Sequence, residues 1–244
     1  MQLRDRWALV TGAAKRVGRS IALELATRGM NVVVHYGSSV ADAERTLEEL
    51  RAHGVSAFGL RADLFHPTEV ATLAGEAERQ TGGITVLVNS AANYLRAPFD
   101  ALTESTWDQS IDVNLKAPFL LSWHVGRAMR ARGEGAIVNI ADWAGERPYE
   151  EYLPYCVSKA GVICLTKALA KALAPAVRVN AVAPGPVMLP EEMGTQERAA
   201  VERATPLRHI GRPEDVARCV RFVAEEADFS TGAIFHVDGG RLIA

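Results

Sequence analysis

The chain reads as a single-domain α/β fold, a doubly wound parallel sheet of about seven strands with helices on both faces. Three observations predict it. Short apolar runs alternate with longer segments of helical periodicity along the whole chain, the pattern of a parallel sheet covered on both sides. The first run passes through a glycine-bearing turn straight into a helix. At 244 residues, with 48% apolar side chains, the chain holds enough material for one sizeable core and needs no second domain to explain it.

Taken in order, Trp7-Ala8-Leu9-Val10 is a buried strand, and Thr11-Gly12-Ala13-Ala14-Lys15-Arg16-Val17-Gly18 turns it into a helix carrying Ile21, Ala22, Leu25 and Ala26 at helical spacing. Further strands are expected at Asn31–Tyr36, Ser56–Ala62, Ile84–Asn89, Ala136–Ala141, Arg178–Ala183 and Ala233–Val237. Helices are expected at Ala41–His53, Pro67–Thr81, Thr103–Arg132, Glu151–Leu173 and Pro213–Ala224, the last opening on Pro213, whose missing N–H a helix start tolerates. No internal repeat or low-complexity linker interrupts them, so 1–244 is taken as one domain. The one long irregular passage, about 185–205, mixes Val187, Met188, Leu189 and Met193 with Glu191 and Glu192. Loops of that length in a compact domain are often lids, and a mobile substrate loop is expected there.

Composition excludes several classes. A formal charge of −2 with scattered Lys and Arg leaves no basic field for nucleic acid. Met1-Gln2-Leu3-Arg4-Asp5-Arg6 runs into the first strand without an apolar signal region, and no stretch approaches the ~18 apolar residues of a membrane span, so no membrane partner and a cytoplasmic location are expected. Cys156, Cys164 and Cys219 form no C-x-x-C pair and an odd count argues against a disulfide framework. The six histidines lack metal-ligand spacing, and no catalytic metal is expected.

The chemistry is carried by two places. Strand, glycine turn and helix form a dinucleotide cradle: glycine permits close backbone approach, and free N–H groups at the helix start face the pyrophosphate with a favourable dipole behind them. Tyr155 and Lys159 stand one helical turn apart, which puts both on one face about 6 Å apart along the axis. The ammonium is expected to favour the tyrosinate and bring a phenol of pKa near ~10 down to that of a usable proton donor near neutral pH. An acidic residue about 20 positions after the glycines grips the ribose when NAD is used. Here the second strand ends His35-Tyr36-Gly37-Ser38-Ser39 with no carboxylate before Asp42, so a 2′-phosphate would meet hydroxyls, a helix N-terminus and a histidine. NADPH is therefore expected over NADH.

On these residues the chain resembles the short-chain dehydrogenase/reductase family over essentially its whole length. The family's Thr-Gly-x-x-x-Gly-x-Gly appears as Thr11 to Gly18, its Asn-Asn-Ala-Gly as Asn89-Ser90-Ala91-Ala92, its helix asparagine as Asn114, its Tyr-x-x-x-Lys as Tyr155 to Lys159, and its Pro-Gly turn as Pro184-Gly185. The resemblance implies a Rossmann-type domain and a homotetramer built from the Thr103–Arg132 and Glu151–Leu173 helices and the last strand. It also implies a cofactor held by Gly12, Lys15, Arg16, Val17, His35, Tyr36, Ser38, Ser39, Asp63, Leu64, Asn89, Ser90, Ala91, Tyr155, Lys159, Pro184, Gly185 and Val187, with Asp63 at the adenine and Val187 near the nicotinamide carboxamide. Two departures stand out. Arg16 replaces the second glycine of the loop, and Asp142, thirteen positions before Tyr155, replaces the serine that usually donates to a substrate carbonyl. An ionised aspartate only accepts.

The pteridine reductase branch carries this combination, and the chain is similar to it at Thr11–Gly18, at His35-Tyr36 and at Asp142, Tyr155 and Lys159. That resemblance implies hydride transfer to a C=N bond of a dihydropterin or dihydrofolate-like ring. Tyr155 would be the acid, Lys159 would bond the nicotinamide ribose, Asn114 would support a proton path, and Asp142 would orient the ring or relay a proton. Arg16, Tyr94, Met188 and Leu189 would hold the substrate, Tyr94 by stacking on the ring. The alternatives are a carbonyl reductase, such as a 3-oxoacyl-carrier-protein reductase, and a non-catalytic NADP-binding sensor.

Overall fold

The strands are β1 (Trp7–Val10), β2 (Asn31–Tyr36), β3 (Ala57–Arg61), β4 (Val86–Asn89), β5 (Gly135–Ile140), β6 (Val177–Pro184) and β7 (Ile234–Val237). The helices are α1 (Arg16–Ala26), α2 (Val40–Ala52), α3 (Pro67–Thr81), α4 (Glu104–Ile111), α5 (Ala117–Arg132), α6 (Leu153–Leu173), α7 (Thr195–Ala204) and α8 (Pro213–Glu225). They come from a computed structural model that describes residues 1–190 and 193–244. All seven strands are parallel, in the order β3-β2-β1-β4-β5-β6-β7. The order reverses between β1 and β4, and ligands of open α/β sheets bind outside the strand C-termini at such a point.

Period-two alternation explains both covered faces. On one side Val10, Val32, Val34, Val86, Val88 and Val138 meet Ile21 and Leu25 of α1, Leu47 and Leu50 of α2, and Val216 and Val220 of α8. The intervening Leu9, Val33, Leu87, Ile137 and Val179 meet Leu73 and Ala77 of α3, Leu121, Val125 and Met129 of α5, and Leu173 of α6. Residues of the central strands β4 and β5 are thus buried whichever way they point, while the edge strands β3 and β7 stay partly open.

Two expected elements are corrected. The segment Thr103–Arg132 is not one regular α-helix: a π-helical turn, Asp112–Lys116, joins α4 to α5. Pro118 has no N–H for the Asn114 carbonyl four residues earlier, so the regular ladder lapses where Asn114 lies. The passage 185–205 is not wholly irregular either, since Thr195–Ala204 forms α7, with the Glu197 carboxylate accepting from the Gly194 N–H at 3.1 Å. Glu191 and Glu192 lie outside the described residues. Among the described residues no helix is long and apolar enough to cross a membrane.

Candidate active site

The turn after β1 is built by contact. A Cβ on Gly12, whose φ is +65°, would lie 2.9 Å from the Ala91 Cα, and a Cβ on Gly18 would lie 2.3 Å from the Gly12 carbonyl oxygen. Both positions therefore exclude larger side chains. Thr11 Oγ1 accepts from the N–H groups of Ser90 and Ala91 at 2.9 and 3.0 Å, stitching the end of β4 to the end of β1. Lys15 caps α1 without a side-chain bond and the first turn holds no acid, so the helix start is open to an anion. Close backbone and free donors suit a pyrophosphate.

Arg16 occupies the left-handed region at φ +55°, where glycine is at ease and an L side chain costs ~1–2 kcal/mol. Its guanidinium reaches across the cleft to the Met188 carbonyl at 3.4 Å.

His35 is corrected. Its Nδ1 accepts from Gly12 N–H at 3.1 Å, and its Nε2 lies 3.1 Å from the Ala62 carbonyl, which only accepts. The ring is thereby fixed as one neutral tautomer, and burial pulls its pKa down to about 4. It braces the glycine turn and has no nitrogen left for a phosphate. Asn89 is likewise turned into the protein, donating to Ser122 Oγ at 3.1 Å and Asn139 Oδ1 at 2.8 Å. Leu64 packs in the core. Tyr36 and Ser39 flank the turn into α2, and the Ser39 hydroxyl makes no capping bond.

At the other end of the cleft Asp142 follows β5. Its Oδ2 accepts from the Tyr155 hydroxyl at 2.8 Å, while its Oδ1 accepts from the Tyr149 hydroxyl at 2.8 Å and the Ala144 N–H at 2.8 Å. Burial raises the Asp142 pKa, against these donors and the charge of Lys159. Lys159 donates to the Ile140 carbonyl at 2.8 Å, sits 5.6 Å from the Tyr155 ring centre, and is pushed down to about 8 by burial. The expected lowering of the Tyr155 pKa is overturned: burial, followed by the Asp142 charge, drives it well above the ordinary phenol value. One helical turn brings the lysine near, but desolvation and a carboxylate in direct contact outweigh it. Tyr155 is a firmly protonated phenol.

Asn114 sits in the π turn, accepting from Asn93 N–H at 2.8 Å and donating to the Asn93 carbonyl at 3.0 Å and Ser158 Oγ at 3.2 Å. It ties the segment after β4 to α6 beside Lys159. Tyr94 stacks on Tyr152 at 4.3 Å between centres and meets Tyr155 edge-on at 4.8 Å. One of its faces is thus already occupied by protein.

A cleft of about 620 Å³ gathers Gly12, Lys15, Arg16, Val17, Ser90, Ala91, Tyr94, Asp142, Tyr155, Lys159, Pro184, Gly185, Val187, Met188 and Leu189. Ser38 and Asp63 line a separate cavity of about 630 Å³. His35, Asn89, Asn114 and Leu64 border neither. Sequence reading missed Trp143, Tyr149, Tyr152 and Arg241, which complete the cleft wall. The signal for two of them was present, since Tyr149, Tyr152 and Tyr155 recur every three residues. Among the described residues no group of three or more His, Cys, Asp or Glu side chains is placed to hold a metal ion.

A switch-point cleft with a glycine cradle at one end and an acid beside a buried lysine at the other defines a nicotinamide-dinucleotide oxidoreductase. The family profile described as enoyl-(acyl carrier protein) reductase matches residues 12–241. The 3-oxoacyl-[acyl-carrier-protein] reductase FabG of Staphylococcus epidermidis is 38% identical over 240 residues, covering 97% of this chain and 98% of its own. A short-chain type dehydrogenase/reductase of Picea abies is 34% identical over 254 residues, covering 98% and 93%. Among solved structures, a blue fluorescent protein from a metagenomic library, in complex with NADPH, superposes with a TM-score of 0.91 at 29% identity over 99% of both chains. The chain belongs to the short-chain dehydrogenase/reductase family. Several relatives at 37–38% identity carry the name 3-oxoacyl-[acyl-carrier-protein] reductase.

Proposed function

We propose that the protein is an NADPH-dependent reductase acting on a C=N bond of a flat nitrogen heterocycle of the dihydropterin class. The observation that carries this reading is Asp142, a carboxylate already accepting three hydrogen bonds at 2.8 Å where a carbonyl substrate needs a donor. The structural neighbour that holds NADPH, the absence of a carboxylate between His35 and Ser39, and the open start of α1 support the cofactor.

Lys15, Arg16, Val17, Ser90 and Ala91 would hold the dinucleotide along the cleft, with Pro184, Gly185 and Val187 at its far end. When bound, NADPH supplies the hydride that reduces the ring carbon. Tyr155, kept protonated by burial and by Asp142, gives its proton to the adjacent ring nitrogen, so C=N becomes CH–NH. Lys159 stands close enough to balance the tyrosinate left behind. Asp142 accepts ring N–H groups in place of the phenols, and Tyr94, Met188 and Leu189 wall the ring. On the family resemblance we also take the enzyme as a cytoplasmic homotetramer, with Phe119, Trp123 and Val157 among the exposed apolar residues of α5 and α6 available for contact.

A second reading, reduction of a 3-oxoacyl thioester, is favoured by the relatives at 37–38% identity. It requires Asp142 to be protonated so that it donates to the carbonyl, a form that burial promotes. Asp142→Ser separates the two. Under the ring reading it lowers kcat/KM for dihydrobiopterin by about 10²-fold while leaving or raising that for acetoacetyl thioester. Thioester turnover by the unaltered enzyme with no pteridine turnover would establish the second reading instead.

A further inference from the structure

The turn from β2 into α2 offers a 2′-phosphate two serines and no cation, since His35 is buried and engaged. A cation is nonetheless nearby. The 630 Å³ cavity lies at the C-terminal ends of β2 and β3 and is lined by Gly37, Ser38, Arg61, Asp63, His66 and Glu69. It is next to the pyrophosphate cradle, because His35 bridges Gly12 to Ala62, the residue after β3. Arg61 ends β3 and pairs with Tyr36, the residue just before Gly37. Its side chain is exposed, and among the described residues it makes no ion pair.

Two carboxylates share this wall, and both are engaged. Glu69 accepts from Asp63 N–H at 2.7 Å, and Asp63 accepts from Phe65 N–H at 3.0 Å and stands 3.9 Å from His66 Nε2. They shape the turn from β3 into α3. Arg61 lines the same cavity without a carboxylate partner among the described residues, and a planar fork of donors suits a phosphate.

We propose that Arg61 binds the phosphate on the adenosine 2′ oxygen, so that the choice of NADPH over NADH is made from the end of β3, with Ser38 completing the site. This rests on the NADPH reading above. In an open α/β cleft the adenosine lies beside the ends of β2 and β3, which puts the 2′ position between Ser38 and Arg61.

The test is binding, without turnover. NADPH and NADH are titrated by nucleotide fluorescence into the unaltered protein, Arg61→Gln and Arg61→Lys, and 2′,5′-ADP and 5′-ADP are compared as thermal-shift probes. Arg61→Gln should bind NADPH about 10–100-fold more weakly, lose the stabilisation by 2′,5′-ADP, and keep its NADH affinity; Arg61→Lys should recover part of the loss. Equal weakening toward both nucleotides would mean that Arg61 holds the adenine and would overturn the proposal. Unchanged NADPH binding in Arg61→Gln would also overturn it while leaving the cofactor reading intact. An unaltered protein that binds both nucleotides equally would remove both.

Discussion

Replacing His35 with asparagine should flatten the acid side of the stability profile. In the folded chain burial pulls the His35 pKa from 6.5 to about 4. Nδ1 must stay bare for Gly12 N–H and Nε2 must keep its hydrogen for the Ala62 carbonyl, so protonation breaks the bond to the glycine turn. Between pH 6.5 and about 4 the unfolded chain takes up a proton that the folded chain refuses, so stability rises with pH across that window. Above it His35 imposes no penalty; below it the penalty is complete. At about 1.4 kcal/mol per pKa unit the loss is about 2 kcal/mol at pH 5 and about 3 kcal/mol by pH 4. Asparagine places an oxygen near the position of Nδ1, can still accept from Gly12, and does not titrate. It should lower stability at neutral pH by about 1 kcal/mol for the lost Ala62 bond while removing the His35 slope. Urea denaturation at about pH 8, 6.5 and 5, at one protein concentration, measures both. Equal pH slopes in the two proteins would refute the role given to this ring.

Tyr155→Phe removes the proposed proton donor and should cut kcat by about 10²-fold or more with NADPH affinity largely kept; a near-normal rate in steady-state assays would exclude Tyr155 as the acid. Arg16→Gly relieves the left-handed backbone and should raise stability by about 1 kcal/mol, measured as a denaturation midpoint, while raising KM because the reach to Met188 is lost. Tyr149→Phe deletes one phenol donor to Asp142, which favours the protonated carboxyl and raises its pKa. Under the ring reading the acid limb of the kcat/KM profile should therefore move to higher pH, and an unmoved limb would mean that Asp142 does not titrate in the rate-limiting form.

Much of the architecture was legible because a strand with apolar residues on both faces has to be covered on both faces. The alternation of strands and helices needs no partner to be read, and the β1 turn into α1 announces itself through Gly12 and Gly18 after the apolar run Trp7–Val10. Element ends and the break at Asp112–Lys116 were not legible in the same way. They depend on which carbonyl a distant or missing N–H leaves unpaired, as with Pro118 and Asn114.

For the site, the chain order alone determined that Tyr155 and Lys159 share a helix face and that no carboxylate precedes Asp42 at the end of β2. Only the packed structure decided what surrounds them. Spacing placed an ammonium near the phenol, but the ammonium's hydrogen bond goes to Ile140 and the phenol's to Asp142, on a neighbouring strand end. His35 looked free as the end of a strand and became a brace once Ala62, 27 residues on, closed over its ring. Charge and hydrogen bonding act through distance and burial. Those are properties of residues far apart in the chain, which is why proximity along it predicted the fold but misjudged the Tyr155 titration and the place of His35.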